Sequence, residues 1–195
     1  MARLITIIVL LALVCVILIR LVGRPTLPDS ISYQEKLAEI SIRSGKSLEH
    51  GSIDETLALA RFTNLWANLS SNSIALNLSG VYDKNVWFND TVKTITNQES
   101  LFHYMMETAE RVSSCSVNVK DISYSDGNYY VRWEMNVVPY SDRTEEVWKS
   151  IGISHIRFNE EGLVILHQDY WDSAKGLYEH LPVVGWMIRT IRARL

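Results

Sequence analysis

The chain has 195 residues, 47% hydrophobic and 21% charged, with a formal net charge of −3. That is the balance of one globular domain with appendages. Residues 25–172 carry about −9 and residues 173–195 about +3. An acidic body argues against a nucleic-acid surface, and a basic tip points to an anionic contact elsewhere.

Residues 4–19 form a run without a charged residue, apolar but for Thr6. Counted through Gly23, with Arg20 able to snorkel, it gives a helix of roughly 30 Å, long enough to cross a bilayer core. A cleaved signal peptide is the competing reading. The run is long for that, and Arg20, Arg24 and Pro25 stand where a small-x-small cleavage site would be needed. The expectation is an uncleaved single-pass membrane anchor over residues 1–24. Arginines on both flanks (Arg3; Arg20 and Arg24) leave its orientation open. Residues 25–51, punctuated by Pro25, Pro28 and a Ser/Gly cluster, read as a linker. Within it a short helix over residues 32–43 would carry Tyr33, Leu37 and Ile40 on one side.

Ser52 with Glu55 three residues on makes a capping box, and Ala58, Phe62, Leu65, Trp66 and Leu69 then recur at helical spacing. A second helical piece is expected over residues 74–82 and a short strand over 85–89, ending at Asp90. Thr96 and Glu99 form another capping box before a helix carrying Leu101, Met105 and Ala109. From Ser116 the period changes to two. Asp126-Gly127 is a hairpin turn, and Tyr129, Val131, Trp133, Met135 and Val137 alternate with polar neighbours. Another long strand covers residues 146–158, with Gly152 marking a bulge or a close approach. A last hairpin, residues 153–172, turns at Gly162. Helices followed by a meander of strands predict an α+β domain: a curved, cone-shaped antiparallel sheet over helices. Residues 181–195 read as an amphipathic helix with Arg189, Arg192 and Arg194 on its polar side, either a lid on the domain or a second contact with the membrane surface.

The last hairpin carries His155, His167 and Asp169. A three-residue loop at residues 160–162 would pair Asn159 with Leu163, hence His155 with His167, and place all three side chains on one face. A register slipped by one would send His155 and Asp169 to opposite faces. With only two cysteines, Cys15 and Cys115, an internal disulfide is not expected. No zinc-ligand spacing occurs, and a His/His/Asp site lacks a further ligand, so neither metal nor cofactor is expected.

The order of elements, with VYDKNVWFND after the first helices and IRFNEEGLVILHQDYWD at the end, resembles the nuclear transport factor 2-like superfamily over residues 52–172. Its SnoaL-like polyketide cyclases and ketosteroid isomerases are the nearest branches. The resemblance implies a cystatin-like α+β cone with a pocket. Asp90 stands where a ketosteroid isomerase keeps its general base. The two oxyanion donors are missing: the helix offers Phe62 or Trp66 where a tyrosine is needed, and Ser154 stands at the acid's place. On the cyclase pattern Asp169 and His155 would be the acid/base pair. Asp90, His155 and Asp169 are thus the catalytic candidates, and Phe62, Trp66, Ser154, His167 and Trp171 the candidate ligand contacts. Two functions follow. One is a membrane-anchored module for a small apolar ligand or a protein partner, a second copy included. The other is a small-molecule isomerase, cyclase or lyase.

Overall fold

The computed structural model describes residues 32–43, 48–140 and 147–195. The expected span over residues 4–23 lies outside them. Among the described residues no helix is long and apolar enough to cross a membrane.

Helix α1 (Tyr33–Arg43) is followed by α2 (Ile53–Ala67), which starts where Ser52 Oγ accepts the Glu55 N–H at 3.0 Å. Glu55 does not complete the capping box. Its carboxylate instead accepts the Tyr129 hydroxyl at 2.7 Å and the Gly51 N–H at 2.7 Å, with the His50 ring at 2.8 Å. Burial alone would raise the Glu55 pKa; these bonds outweigh it and hold the carboxyl below its ordinary range. The helix start is thereby tied to the sheet, and the stripe Ala58, Phe62 and Leu65 is buried beneath it. After α3 (Ser71–Asn77) and a 3-10 turn (Leu78–Gly80), strand β1 runs Tyr82–Asn89. It begins three residues before the expected strand, so Tyr82 opens β1 rather than closing a helix. β2 is Thr94–Ile95, and α4 is Gln98–Glu110. Asn97, not Thr96, caps α4: its Oδ1 accepts the Ser100 N–H at 2.8 Å.

Strands β3 (Val112–Ser125), β4 (Asn128–Pro139), β5 (Trp148–Phe158) and β6 (Val164–Trp171) complete one sheet of order β2-β1-β6-β5-β4-β3. Asp126 and Gly127, at φ 48° and 74°, make the type I′ turn expected between β3 and β4. The sheet is mixed rather than antiparallel, because β1 and β6 run parallel. Parallel neighbours need a long connection, and here everything from β2 to β5 supplies it. Register breaks in β3, between Val112 and Ser114 and between Val119 and Asp121, bend the long hairpin. Helices α2 and α4 pack on the inner face, with Phe62, Leu65, Leu101 and Met105 against Val117, Val131 and Ile156.

The opposite face is covered too. Tyr33, Leu37 and Ile40 of α1 pack with Trp87, Leu166 and Ile165. This part of the expected linker is therefore a packed element of the domain and not a spacer. After β6 come α5 (Ser173–Gly176), a 3-10 turn (Tyr178–His180) and α6 (Val184–Arg192), shorter than the helix expected over residues 181–195.

Gly152 sits opposite Trp133 with the pairing unbroken, so it marks a close approach and not a bulge. A Cβ there would meet Trp133 Cζ2 at 2.4 Å and Trp171 Cβ at 2.8 Å. Gly152→Ala is expected to lower the unfolding free energy by about 1–3 kcal/mol through overpacking, as measured by urea denaturation.

Candidate functional site

The last hairpin decides which side chains meet. The Asn159 N–H donates to Leu163 O at 2.9 Å, as the three-residue loop requires. Then the register breaks: Phe158 faces Val164, but Arg157 faces Leu166, and Ile165 is the extra residue of a bulge. His155 therefore pairs with Gln168, and Ser154 with Asp169. The expectation that His155, His167 and Asp169 share a face is overturned. His167 and Asp169 face the helices, and His155 faces the other way. The physical reason lies in packing. Val164, before the bulge, already faces the inner core; past it His167 also turns inward among the Phe62 and Trp66 rings, while Leu166 joins Trp87 under α1.

On the outer face His155 is 1% exposed. Its Nδ1 lies 2.8 Å from the Tyr33 hydroxyl, its Nε2 lies 2.8 Å from Asn128 Oδ1, and its ring stacks on Tyr130 at 5.0 Å. An amide oxygen only accepts, so Nε2 carries the proton and Nδ1 accepts from Tyr33. Burial, followed by the Arg157 charge, pushes the His155 pKa down to about 4. This neutral histidine fastens α1 to the sheet.

On the inner face His167 is also 1% exposed, within 4.9 Å of the Phe88 ring, 5.4 Å of Trp66 and 5.6 Å of Phe62. A chain of hydrogen bonds runs through it. Trp66 Nε1–H donates to the Tyr82 hydroxyl at 2.9 Å, and that hydroxyl lies 2.8 Å from His167 Nδ1. His167 Nε2 lies 2.8 Å from Asp169 Oδ1. From the other side, Trp133 Nε1–H donates to Ser154 Oγ at 2.9 Å, and Ser154 donates to the same Asp169 Oδ1 at 2.5 Å. One assignment satisfies every group: Tyr82 donates to Nδ1, and Nε2–H donates to an ionised Asp169. Burial holds the Tyr82 phenol well above its ordinary pKa, so it remains a donor.

Among the described residues both bonds to the Asp169 side chain fall on Oδ1, and none falls on Oδ2. No fully buried side-chain oxygen or nitrogen lacks a partner among the described residues. Oδ2 therefore borders open space, and the Asp169 side chain keeps 9% of its surface exposed.

Asp90, the other carboxylate, is built into a turn. Its Oδ1 accepts the Val92 N–H at 2.9 Å and the Lys93 N–H at 2.8 Å, while the Tyr104 hydroxyl donates to Oδ2. Trp171 Nε1–H donates to the Asp90 carbonyl at 2.7 Å. Burial first, then the carboxylates of Asp90 and Asp169, raise the Tyr104 pKa. The two acids thus act on one phenol. Of the three catalytic candidates, Asp90 bonds Tyr104, Asp169 acts on that phenol through its charge alone, and His155 lies on the other face. Among the ligand-contact candidates, Trp66, Ser154 and His167 belong to the chain that meets at Asp169, the Phe62 ring packs on His167, and Trp171 bonds the Asp90 carbonyl. Sequence reasoning missed Tyr82 and Tyr104. Carrying the strand back from Val86 would have brought in Tyr82, and Tyr104 follows Leu101 by three residues on α4. No group of histidine, cysteine or acidic side chains among the described residues is gathered so as to hold a metal.

No protein-family model matches the chain, nor does any curated protein. Solved structures do. An epoxide hydrolase of M. tuberculosis, described as LEH-like, is similar at a TM-score of 0.52 and 10% identity, covering 63% of this chain and 86% of that one. A protein of ketosteroid isomerase-like fold from Catenulispora acidiphila, solved with trimethylamine, is similar at 0.52 and 13% identity, covering 62% and 88%. An NTF2-like protein of Exiguobacterium is similar at 0.50 and 12% identity, covering 59% and 98%. The chain has the nuclear transport factor 2-like fold, as the order of its elements suggested.

The neutral, buried His155 has a stability consequence. Its folded pKa is depressed from 6.5 to about 4, so the unfolded chain binds the extra proton first. The contribution is complete above pH 6.5 and is lost as pH falls toward 4, to a limit of roughly 3 kcal/mol. Urea unfolding at pH 7, 5.5 and 4.5 should show this slope in the native chain and a flatter one in His155→Gln.

Proposed function

We propose that this domain binds a small, largely apolar ligand whose single hydrogen-bond donor meets Asp169 Oδ2. The observation that carries this reading is a carboxylate with one oxygen fixed and the other open, backed by a histidine that itself sits among the rings of Phe62, Trp66 and Phe88. Ser154 and His167 hold the carboxylate in place, so it need not reorganise when a donor arrives. Such a site suits a hydroxyl or amine on an apolar body.

Binding is favoured over enolisation by the state of the donors. Trp66 N–H serves Tyr82, Tyr82 O–H serves His167, Trp133 N–H serves Ser154, Tyr104 O–H serves Asp90, and Trp171 N–H serves the Asp90 carbonyl. Stabilising an enolate takes preorganised donors aimed at the developing charge, and each of these five is already engaged. The acid–base reading keeps one argument: His167 stands behind Asp169 and could share a proton taken from a ligand. One protein of similar fold is an LEH-like epoxide hydrolase of M. tuberculosis.

2-Naphthol, which donates a hydrogen bond, and naphthalene, which does not, separate the elements of this proposal. 2-Naphthol is expected to bind more tightly than naphthalene. Asp169→Asn should weaken 2-naphthol by about ten- to a hundredfold, the worth of a charge-assisted bond, and leave naphthalene unchanged. Equal affinity of the two compounds for the native chain would refute the assignment.

The same proposal includes a membrane stalk, supported by the uncharged run at residues 4–19, apolar but for Thr6. In expressing cells the full chain should resist alkaline extraction from membranes, and a chain lacking residues 1–24 should appear in the soluble fraction. Release of the full chain by alkali would remove the stalk.

A further inference from the structure

The C-terminal segment presents an amphipathic helix the wrong way round for a helix that packs on its own domain. The segment is docked by its polar side. Gly176 lies against Trp171 and Ser150, where a Cβ would come within 2.7 Å of each side chain, and the His180 ring stacks on Trp148 at 4.2 Å. Helix α6 is then clamped down: Arg192 pairs with Glu179 and, at 3.2 Å, with Asp172, while Arg189 donates to the Glu179 carbonyl. One turn before Arg189, Gly185 touches the Glu179 backbone so closely that a Cβ would meet its oxygen at 2.1 Å. Gly185, Arg189 and Arg192 share one face of the helix by spacing, and that face is held on the protein.

The apolar face is left outward. Val184 is 42% exposed, Met187 50% and Ile191 57%, with Trp186 at 65% and Val183 at 72% beside them. Val183 also holds φ at +64°, a costly conformation for a β-branched residue that nonetheless turns its side chain away from the protein. A helix whose arginines bind its own domain, and whose valine, methionine and isoleucine side chains do not, is built to cover something else.

We infer that α6 is a surface-binding helix for an anionic lipid bilayer. Three observations favour lipid over another occupant. The segment from Asp172, whose carboxylate pairs with Arg192, carries a net charge of +2, so two copies meeting helix to helix would bring like charges together. Lys175 and Arg194 are exposed and make no ion pair among the described residues, leaving them for headgroup phosphates. Trp186 is 65% exposed and stands beside Arg189 by helical spacing, where an indole suits the headgroup boundary. The arginine clamp holds the apolar stripe outward before any lipid is met. This inference does not depend on the Asp169 site.

Hydrogen exchange on the full chain tests it, with the protein reconstituted into vesicles of phosphatidylcholine alone or with about one-third phosphatidylserine. The amides of residues 186–195 should exchange about tenfold more slowly in the anionic vesicles. Ile191→Asp, at an exposed position, should abolish that difference while the β5 and β6 amides stay protected. Exchange that is equally fast in both vesicles would overturn the inference. Exchange equally slow in both would also overturn it, since a second copy or residues 4–19 of the same chain would then be the cover.

Discussion

One extra residue in β6 sets the arrangement of both faces of this sheet. The hairpin loop begins in the register its length dictates, and the Ile165 bulge then moves the strand by one position. A pleated strand alternates faces with a period of two, so that single step exchanges the faces of every later residue relative to β5. Val164 and His167 both turn inward, and Leu166 goes to the outer layer between Trp87 and α1. Without the bulge His155 and Asp169 would share a face. With it, one histidine secures an outer helix and the other supports an inner carboxylate.

The two histidines show how one residue type is assigned two tasks by its surroundings. Both are almost wholly buried, and both are bonded at each ring nitrogen. His155 meets only neutral partners, a phenol and an amide oxygen, with the Arg157 charge nearby, and so is held neutral. His167 meets a carboxylate on one side and a phenol on the other, in a line of bonds that begins at Trp66 and converges with a second line, from Trp133, at Asp169. Buried polar groups are tolerated when each is satisfied, and a complete network fixes its members in one arrangement. That completeness leaves Asp169 Oδ2 as the open acceptor at the centre, which is why recognition of a donor follows more naturally from this geometry than stabilisation of a new negative charge.

Much of this was legible in the amino acids. Alternation in YYVRWEMNV defined β4, Asp126-Gly127 defined its turn, and the spacing of Ala58, Phe62 and Leu65 defined the buried side of α2. Tyr33, Leu37 and Ile40 were recognisable as one side of a helix. What they would cover was not, because an amphipathic stripe records that a surface is to be buried and not which surface. The parallel pairing of β1 with β6 was hidden for a related reason: two strands 75 residues apart leave no local mark of their contact. The bulge was the most consequential omission. NEEGLVIL is compatible with two registers, and the choice is made by packing against Trp87 and α1, which lies outside the hairpin. Asp169 was identified as a candidate with the wrong histidine as its partner, since sequence spacing alone could not supply that one-residue step.

The face assignment is open to direct observation by nuclear Overhauser contacts from the two imidazole rings in isotope-labelled protein. The account predicts cross-peaks from His167 to the Phe62, Trp66 and Phe88 rings, and from His155 to Tyr33 and Tyr130, with no overlap between the two sets. Cross-peaks from His155 to Trp66 or Phe88 would mean an unbulged hairpin and would contradict it.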